Sequence, residues 1–267
     1  MLLLLVALPI FDAAAQSPRS SGPPVGTLIL VGGDVTGPDI RAAAARLAGG
    51  TRANWVVIPT AAEDGEIDYL RHTNFAAALG QPFTVLHTRD PAIADSEAFV
   101  ALLNAATAVW FVGGRQWRLV DAYAGTRTER ALRGVLDRGG LIAGTSAGAT
   151  IQGSFLVRGA VAGNRVMMAP GHERGFGYLR NVAIDQHISA RGREGDLAEV
   201  VAANPGLLGI GIDESTALIV QGNIARVIGA GRVFITDGAD HAGKPDYALS
   251  PGDRFDLATW SRPEPSR

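Results

Sequence analysis

Short apolar runs alternate with amphipathic segments through the first half of the chain. Five runs are mostly apolar: Thr27–Val31, Trp55–Pro59, Phe83–His87, Ala108–Val112 and Leu141–Ala143. The segments between them with helical periodicity are Ile40–Leu47, Ser96–Asn104 and Thr126–Arg138. Strands that are apolar on both faces and alternate with helices are typical of a parallel sheet that is covered on both sides. The pattern therefore predicts an α/β fold with a mostly parallel sheet and helices on both faces.

The second half of the chain has a different pattern. Two short apolar runs, Ala217–Val220 and Ala225–Gly229, are separated by the turn residues 221–223, and a third run follows at Val233–Thr236. Runs this short, separated by turn residues, predict antiparallel hairpin strands. We expect these strands to cap the parallel sheet rather than to repeat the strand-helix unit.

The length of 267 residues suits one domain, which we place at residues 25–260. Residues 1–15 are apolar near their start and end in three alanines, as signal peptides do, although no Lys or Arg precedes the apolar run; a buried hydrophobic end is the alternative. The run is shorter than the about 20 residues that span a bilayer, so we expect export to the periplasm or the exterior without a membrane anchor. Residues 16–24 predict a flexible leader, because they are rich in Ser, Pro and Gly, and residues 261–267 predict a frayed tail.

Composition excludes several classes of function. Hydrophobic residues make up 47% and charged residues 19% of the chain, and the formal net charge is -2, as in a soluble globular enzyme. The chain has no cluster of Lys and Arg residues that could neutralise the phosphate groups of a nucleic acid, so we expect no nucleic-acid partner. Because the chain has no cysteine, a cysteine nucleophile and a thiolate metal site are both excluded. No metal or organic cofactor is implied.

A candidate nucleophile follows the apolar run at Leu141. The sequence Gly144-Thr145-Ser146-Ala147-Gly148 has the G-x-S-x-G pattern of a sharp strand-to-helix turn that presents a serine, here Ser146. Glycines on either side let the strand and the helix pass close together. The N–H of Ala147 is then a candidate oxyanion donor, and Gly114, in the Gly pair after another strand, is a candidate for the second donor. The alternative is an ordinary turn whose serine caps the helix.

Candidates for a base and an orienting acid follow two later apolar runs. His187 ends the run that contains Val182-Ala183-Ile184, and a base at a strand end could take the proton of a serine hydroxyl. Asp213 and Glu214 lie side by side after Ile212, and only one of two neighbours on a strand can face the imidazole. We predict Glu214 as the orienting acid, with Asp213 as the substitute. In isolation these residues are also compatible with structural roles.

Taken together, these segments resemble the serine peptidase family that contains cyanophycinase and aspartyl dipeptidase, whose fold is related to class I glutamine amidotransferases. The resemblance covers residues 25–236, and the chain order Ser, His, Glu differs from that of the α/β-hydrolases. The segments that carry it are Gly113-Gly114-Arg115-Gln116, residues 144–149, Asp185-Gln186-His187 with Arg191 and Arg193, and residues 212–215. The resemblance implies substrate-binding roles for Gln116, Asp185, Gln186, Arg191 and Arg193.

The resemblance also implies a substrate. Cyanophycinases cut a polyaspartate backbone whose side chains carry arginine and release β-aspartyl-arginine, so we expect a peptide substrate that contains aspartyl and arginine residues. Two departures from the family pattern weaken that expectation: Asp196 stands where an arginine is usual, and Arg115 stands where Asp or Asn commonly follows the Gly pair. An aspartyl or isoaspartyl dipeptide is the alternative substrate.

Two other classes of function remain alternatives. One is a non-catalytic periplasmic peptide-binding protein with this fold. The other is an amidotransferase-type hydrolase, which the lack of cysteine disfavours. The sequence leaves the oligomeric state open, with a homodimer as one option.

Overall fold

A computed structural model describes residues 19–34, 37–67 and 81–263. Its strands are β1 Thr27–Val31, β2 Trp55–Ile58, β3 Phe83–Val85, β4 Ala108–Phe111, β5 Leu141–Thr145, β6 Gly153–Phe155, β7 Leu179–Gln186, β8 Leu208–Ile212, β9 Thr216–Gln221, β10 Ile224–Gly229, β11 Val233–Thr236, β12 Tyr247–Leu249 and β13 Arg254–Asp256. Its α-helices are Pro38–Leu47, Pro91–Ala94, Glu97–Ala105, Gln116–Tyr123, Arg127–Asp137, Ala147–Thr150, Ile188–Arg191 and Leu197–Ala203, and residues Gly50–Arg52 form a 3₁₀ turn.

The main sheet has eight strands in the order β13-β10-β9-β1-β5-β4-β2-β3. The five strands from β1 to β3 in this order are all parallel. Strands β9, β10 and β13 extend the sheet beyond β1 in antiparallel pairing. The predicted α/β fold with a mostly parallel sheet and short antiparallel strands is confirmed.

Alternate residues of β1 point to the two faces of this sheet. Ile29 and Val31 pack with Ile40 of the helix Pro38–Leu47 on one face. Leu28 and Leu30 belong to the larger core on the other face, which also contains apolar side chains of the helices Glu97–Ala105, Gln116–Tyr123 and Arg127–Asp137. Helices on both faces explain why the central strands β1, β2 and β4 are buried along their whole length.

A second sheet packs on the larger core and was not expected from the sequence. Its five strands have the order β12-β11-β8-β7-β6, and inward side chains of β7 and β8 join the core of the main sheet. Strands β9 and β10 do extend the main sheet as hairpin strands, whereas β11 pairs with β8 in the second sheet. The expectation that all C-terminal strands cap one sheet is therefore wrong for β11.

The residues just before β1 are fixed to the domain, and this corrects the prediction that 16–24 form a flexible leader. Ser20 and Ser21 are buried, and Ser21 pairs through its backbone with Arg180 at 2.8 and 3.2 Å. The Ser20 hydroxyl also donates to the carbonyl of Asn181 at 3.0 Å. The leader prediction fails for residues 19–21, because these residues are hydrogen-bonded to β7.

The predicted signal peptide, residues 1–15, and residues 264–267 of the predicted frayed tail lie outside the described residues. At the start of that tail, the carbonyl of Ser261 accepts a hydrogen bond from the N–H of Asp256 at 2.8 Å. Among the described residues, no helix has the length and apolar character needed to cross a membrane.

Candidate active site

Ser146 lies on a sharp turn between β5 and the helix Ala147–Thr150. Its backbone angles, φ 54° and ψ -116°, are unusual for a residue with a side chain, and such strain is typical of functional sites. A Cβ on Gly144 would overlap the backbone of Gly148, and a Cβ on Gly148 would lie 2.7 Å from the Cβ of Phe111. The flanking glycines therefore allow the strand and the helix to approach closely, as the sequence predicted.

The end of β1 fixes the backbone of all three segments that carry the candidate triad. The carbonyl of Val31 accepts the N–H of Ser146 at 2.9 Å, and the carbonyl of Gly32 accepts the N–H of His187 at 2.9 Å. The carbonyl of Gly33 accepts the N–H of Ser215, next to Glu214, at 3.0 Å. Three successive carbonyls thus join β5 of the main sheet to the ends of β7 and β8 in the second sheet.

The side chains of these segments form a continuous chain of hydrogen bonds. The Oγ of Ser146 lies 2.9 Å from Nε2 of His187, and Nδ1 of His187 lies 2.5 Å from Oε1 of Glu214. An ionised carboxylate only accepts hydrogen bonds, so Nδ1 carries the ring proton and Nε2 is free to accept the serine proton. The imidazole is buried and Glu214 is about one-third exposed.

Asp213, the alternative acid, is engaged elsewhere. Its two carboxylate oxygens accept the backbone N–H groups of Ser189 at 2.9 Å and of Arg232 at 3.0 Å. The neighbouring side chains point in different directions, as expected for adjacent residues at a strand end. Asp213 therefore supports the backbone of the site, while Glu214 faces the imidazole.

Burial lowers the pKa of His187 below its ordinary value of 6.5. The hydrogen bond that His187 donates to Glu214 acts in the opposite direction and raises the pKa, and the nearby positive charges of Arg191 and Arg193 lower the pKa further. The imidazole is consequently neutral at pH 7, which is the protonation state that a base requires.

This shift predicts the pH dependence of turnover. As pH falls through the pKa of His187, the ring takes a proton and loses its function as a base, so the acidic limb of kcat/KM should lie below pH 6.5. The substitution Arg191→Gln removes a cation that disfavours protonation and should move this limb to higher pH. A pH profile of kcat/KM tests this, with the exposed Arg46→Gln as a charge-matched control whose limb should stay in place. If the acidic limb of kcat/KM stays at the same pH in Arg191→Gln, the charge of Arg191 does not lower the pKa of His187.

Three backbone N–H groups near Ser146 are candidates for an oxyanion site. Among the described residues, the backbone hydrogen bonds outside helices and strands include none donated by Gly113, Gly114 or Ala147. A Cβ built on Gly113 would lie 3.3 Å from the Cβ of Ser146, so the Gly pair adjoins the nucleophile. Free N–H groups beside a nucleophile are what an oxyanion site requires.

Three of the five residues to which the resemblance assigns substrate binding lie around the triad. The Oε1 of Gln186 is 3.4 Å from the Oγ of Ser146 and 3.4 Å from Nη1 of Arg193. Arg193 also donates to the backbone carbonyl of Gln186 at 2.8 Å, and Arg191 ends the short helix that follows His187. Gln186 thus contacts the nucleophile directly, and the charges of Arg191 and Arg193 act on the imidazole of His187.

The other two residues, Gln116 and Asp185, are buried and have partners within the chain. The Nε2 of Gln116 donates to the carbonyls of Val157 at 2.7 Å and Arg158 at 3.1 Å. The carboxylate of Asp185 is fully buried and accepts two parallel hydrogen bonds from the guanidinium of Arg158, each 2.8 Å long. Gln116 thus supports the segment that carries Arg158, and Arg158 occupies the carboxylate of Asp185.

Sequence analysis did not identify Arg158. Its guanidinium also donates to the carboxylate of Asp196 at 2.5 Å and to the carbonyl of Asn164 at 2.8 Å. Arg158 follows no recognisable motif, and its main partner, Asp185, is distant in the sequence. The one available signal was Asp196, which stands where the family pattern has an arginine.

Ser146 lies on a sharp turn at the end of a mostly parallel sheet, and its hydroxyl contacts an imidazole that in turn contacts a carboxylate. This arrangement is typical of serine hydrolases. Comparison with known proteins identifies the family: residues 28–228 match the model of peptidase family S51, and the chain belongs to this family. The resemblance seen in the sequence is confirmed.

The relatives of this chain include cyanophycinases. The cyanophycinase of Nostoc sp. is 32% identical over 232 residues, which cover 79% of this chain and 77% of the relative. The cyanophycinase of Geminocystis herdmanii is 31% identical over 221 residues, 79% of this chain and 80% of the relative.

Solved structures show the same fold. The crystal structure of a peptidase from an acI-B1 Actinobacterium has a TM-score of 0.70 and 25% identity, and the match covers 88% of this chain and 98% of that one. A Listeria monocytogenes protein described as a candidate peptidase E has a TM-score of 0.57 at 14% identity, covering 78% and 100% of the two chains.

Proposed function

We propose that this protein is a serine peptidase that uses Ser146, His187 and Glu214 to hydrolyse aspartyl peptides. The observation that carries the proposal is the continuous hydrogen-bond chain from the serine hydroxyl through the imidazole to the carboxylate. A serine hydroxyl is a weak nucleophile until a base takes its proton, and here a neutral imidazole lies within hydrogen-bond distance of it.

The reaction has two halves. The Oγ of Ser146 bonds to the scissile carbonyl carbon while its proton passes to Nε2 of His187, and the N–H groups of Ala147 and Gly114 stabilise the negative oxygen. His187 then gives this proton to the departing amine as the C–N bond breaks, which leaves an acyl ester on Ser146. Water attacks the ester and transfers a proton to His187, which returns it to the serine oxygen as the ester bond breaks. Glu214 stabilises the imidazolium in both halves.

Two substrates are compatible with this chemistry. Cyanophycin, cut to β-aspartyl-arginine dipeptides, is suggested by the names of the relatives. An aspartyl or isoaspartyl dipeptide is the second candidate, and it is favoured by the ion pair between Arg158 and Asp185, which occupies a carboxylate that could otherwise receive a substrate arginine.

Covalent labelling distinguishes a serine peptidase from a non-catalytic peptide-binding protein. A fluorophosphonate probe reacts with an activated serine, and we expect it to modify Ser146 specifically, as located by peptide mass mapping. The variant His187→Ala should label much more slowly, because the serine loses its base. A wild-type protein that binds aspartyl peptides but does not react with the probe would favour the binding protein instead.

A further inference from the structure

A cationic pocket adjoins the candidate nucleophile. The pocket has a volume of about 350 Å³, and the residues that line it are Arg158, Asn164, Arg165, Arg191, Gly192, Arg193 and Asp196. Gln186 connects it to the triad, because its Oε1 lies 3.4 Å from both the Oγ of Ser146 and Nη1 of Arg193. Only the amide of Gln186 therefore separates Nη1 of Arg193, at the pocket, from the hydroxyl of Ser146.

The charges of the pocket are unbalanced. Four arginines face one carboxylate, that of Asp196, and this carboxylate is already bound by Arg158 at 2.5 Å. Within the described part of the chain, no carboxylate lies within ion-pair distance of Arg165 or Arg191. The guanidinium of Arg193 is buried and contacts Asp185 only through Nη1, at 3.5 Å. An anion in this pocket would relieve the mutual repulsion of these arginines.

Both carboxylates nearest to a substrate arginine here, those of Asp185 and Asp196, are already bound by Arg158. The fork of Arg158 matches both oxygens of Asp185, which is the geometry of a strong, directional ion pair. A second guanidinium could reach Asp185 only by displacing Arg158, and that would leave a buried charge without its partner. The pair thus excludes a cationic side chain from the carboxylate that the family resemblance assigns to substrate.

The two departures from the family pattern both contact the segment that carries Arg158. Asp196 binds the guanidinium itself, and Nη2 of Arg115 donates to the carbonyl of Ala160 at 2.5 Å. Gln116 binds the same segment through the carbonyls of Val157 and Arg158. The substituted positions therefore help to hold Arg158 in place against Asp185.

We propose that this pocket selects a free carboxylate on the substrate, so that the protein prefers acidic aspartyl peptides to those whose aspartyl side chains carry arginine. This inference rests on the proposed peptidase function and specifies the substrate of the same site. Arg158 determines specificity by occupying Asp185, and Arg165 and Arg191 supply unpaired positive charge for the substrate carboxylate.

Three synthetic tetrapeptides with the same aspartyl backbone test the proposal. Their side chains are bare carboxylates, carboxamides, or carboxyl groups joined to arginine, and kcat/KM is measured for each. We expect the acidic peptide to be the best substrate and the arginine-bearing peptide the worst, with a difference of about ten-fold or more, because like charges oppose each other in the cationic pocket. A preference for the arginine-bearing peptide would overturn the inference and leave the peptidase function intact.

Two variants test the residues named. Arg165→Gln should lower kcat/KM several-fold more for the acidic peptide than for the carboxamide peptide, whereas Arg46→Gln on a distant helix should change neither. Arg158→Ala should improve the arginine-bearing peptide relative to the acidic one, because Asp185 becomes available, while Arg158→Lys keeps a cation there and should not. If Arg158→Ala does not fold, the proposal is still tested by the kcat/KM values of the wild-type protein for the three peptides and by those of Arg165→Gln.

Failure of the peptidase function has a separate signature. If none of the three peptides is cut and the fluorophosphonate does not label Ser146, the proposed function is wrong and the substrate preference has no meaning. If the probe labels Ser146 and the three peptides are cut equally well, the catalytic proposal stands and the role of the pocket is refuted.

Discussion

The variant Ser146→Ala should lose peptidase activity on the order of a million-fold in kcat, because removal of the nucleophile alone is about as damaging as removal of a whole triad. The hydroxyl of Ser146 contacts His187 and Gln186 in the site, and alanine keeps the Cβ that the strained turn already accommodates. We therefore expect the free energy of unfolding to change by only about 1 kcal/mol or less. Turnover of an aspartyl peptide and a thermal unfolding curve measure the two effects.

A second serine provides the matched control for this variant. Ser189 follows His187 by two residues and is exposed, and Ser189→Ala should keep full activity. Loss of activity in Ser189→Ala would show that a serine-to-alanine change near the imidazole is damaging even where the serine is not the nucleophile. Retained turnover in Ser146→Ala, above the level of contaminating peptidases, would exclude Ser146 as the nucleophile.

The parallel half of the fold could be predicted from the sequence because its signals are local. Each apolar run from β1 to β5 is long enough to span the sheet and is bounded by turn residues, and each intervening helix has its own periodicity. The second sheet has no comparable signal. β7 and β8 pair in parallel across a helical connection, as the strands of the main sheet do, so the pattern does not show that they form a separate sheet. β11 pairs with β8 rather than with the hairpin strands β9 and β10 that lie between them in the sequence, and this choice depends on tertiary contacts.

The residues of the candidate triad could be predicted because each follows an apolar run, and strand ends meet at one edge in such folds. What the sequence could not show is that His187 and Glu214 come from a different sheet than Ser146. The three carbonyls of Val31, Gly32 and Gly33 join the two sheets at this point. A Gly pair at the end of β1 was visible in the sequence, but its contacts were not.

The partners of charged residues were the least predictable part of the site. The family resemblance assigned Asp185 to the substrate, and no local motif indicated that Arg158 would bind it, because ion pairs across a fold have no sequence spacing of their own. Gln116 likewise has a polar side chain that could face a cleft or a carbonyl, and in this structure it donates to the carbonyls of Val157 and Arg158.

The variant Gly33→Ala should lower kcat/KM about a hundred-fold or more while the protein still folds, because displacement of a reacting group by about 1 Å can have an effect of that size. A Cβ on Gly33 would lie 2.5 Å from both ring nitrogens of His187 and closer still to Cε1, so the imidazole must move. Movement of the ring breaks its alignment with Ser146 on one side and with Glu214 on the other. Gly33 is thus a positioning residue, because it acts through the position of the His187 ring and not through contact with the substrate.

Gly49→Ala is the matched control, because it separates the contact with the imidazole from the backbone cost of the substitution. Gly49 has a φ of 107° and Gly33 a φ of 128°, both in the region that favours glycine, but a Cβ on Gly49 would meet no atom within 4 Å. Gly49→Ala should therefore lose only the stability that the backbone conformation costs, whereas Gly33→Ala should lose at least as much stability and, in addition, activity and fluorophosphonate reactivity together. Full activity in Gly33→Ala would show that the imidazole can move without loss of function, and the tight geometry at the end of β1 would then have no part in positioning the base.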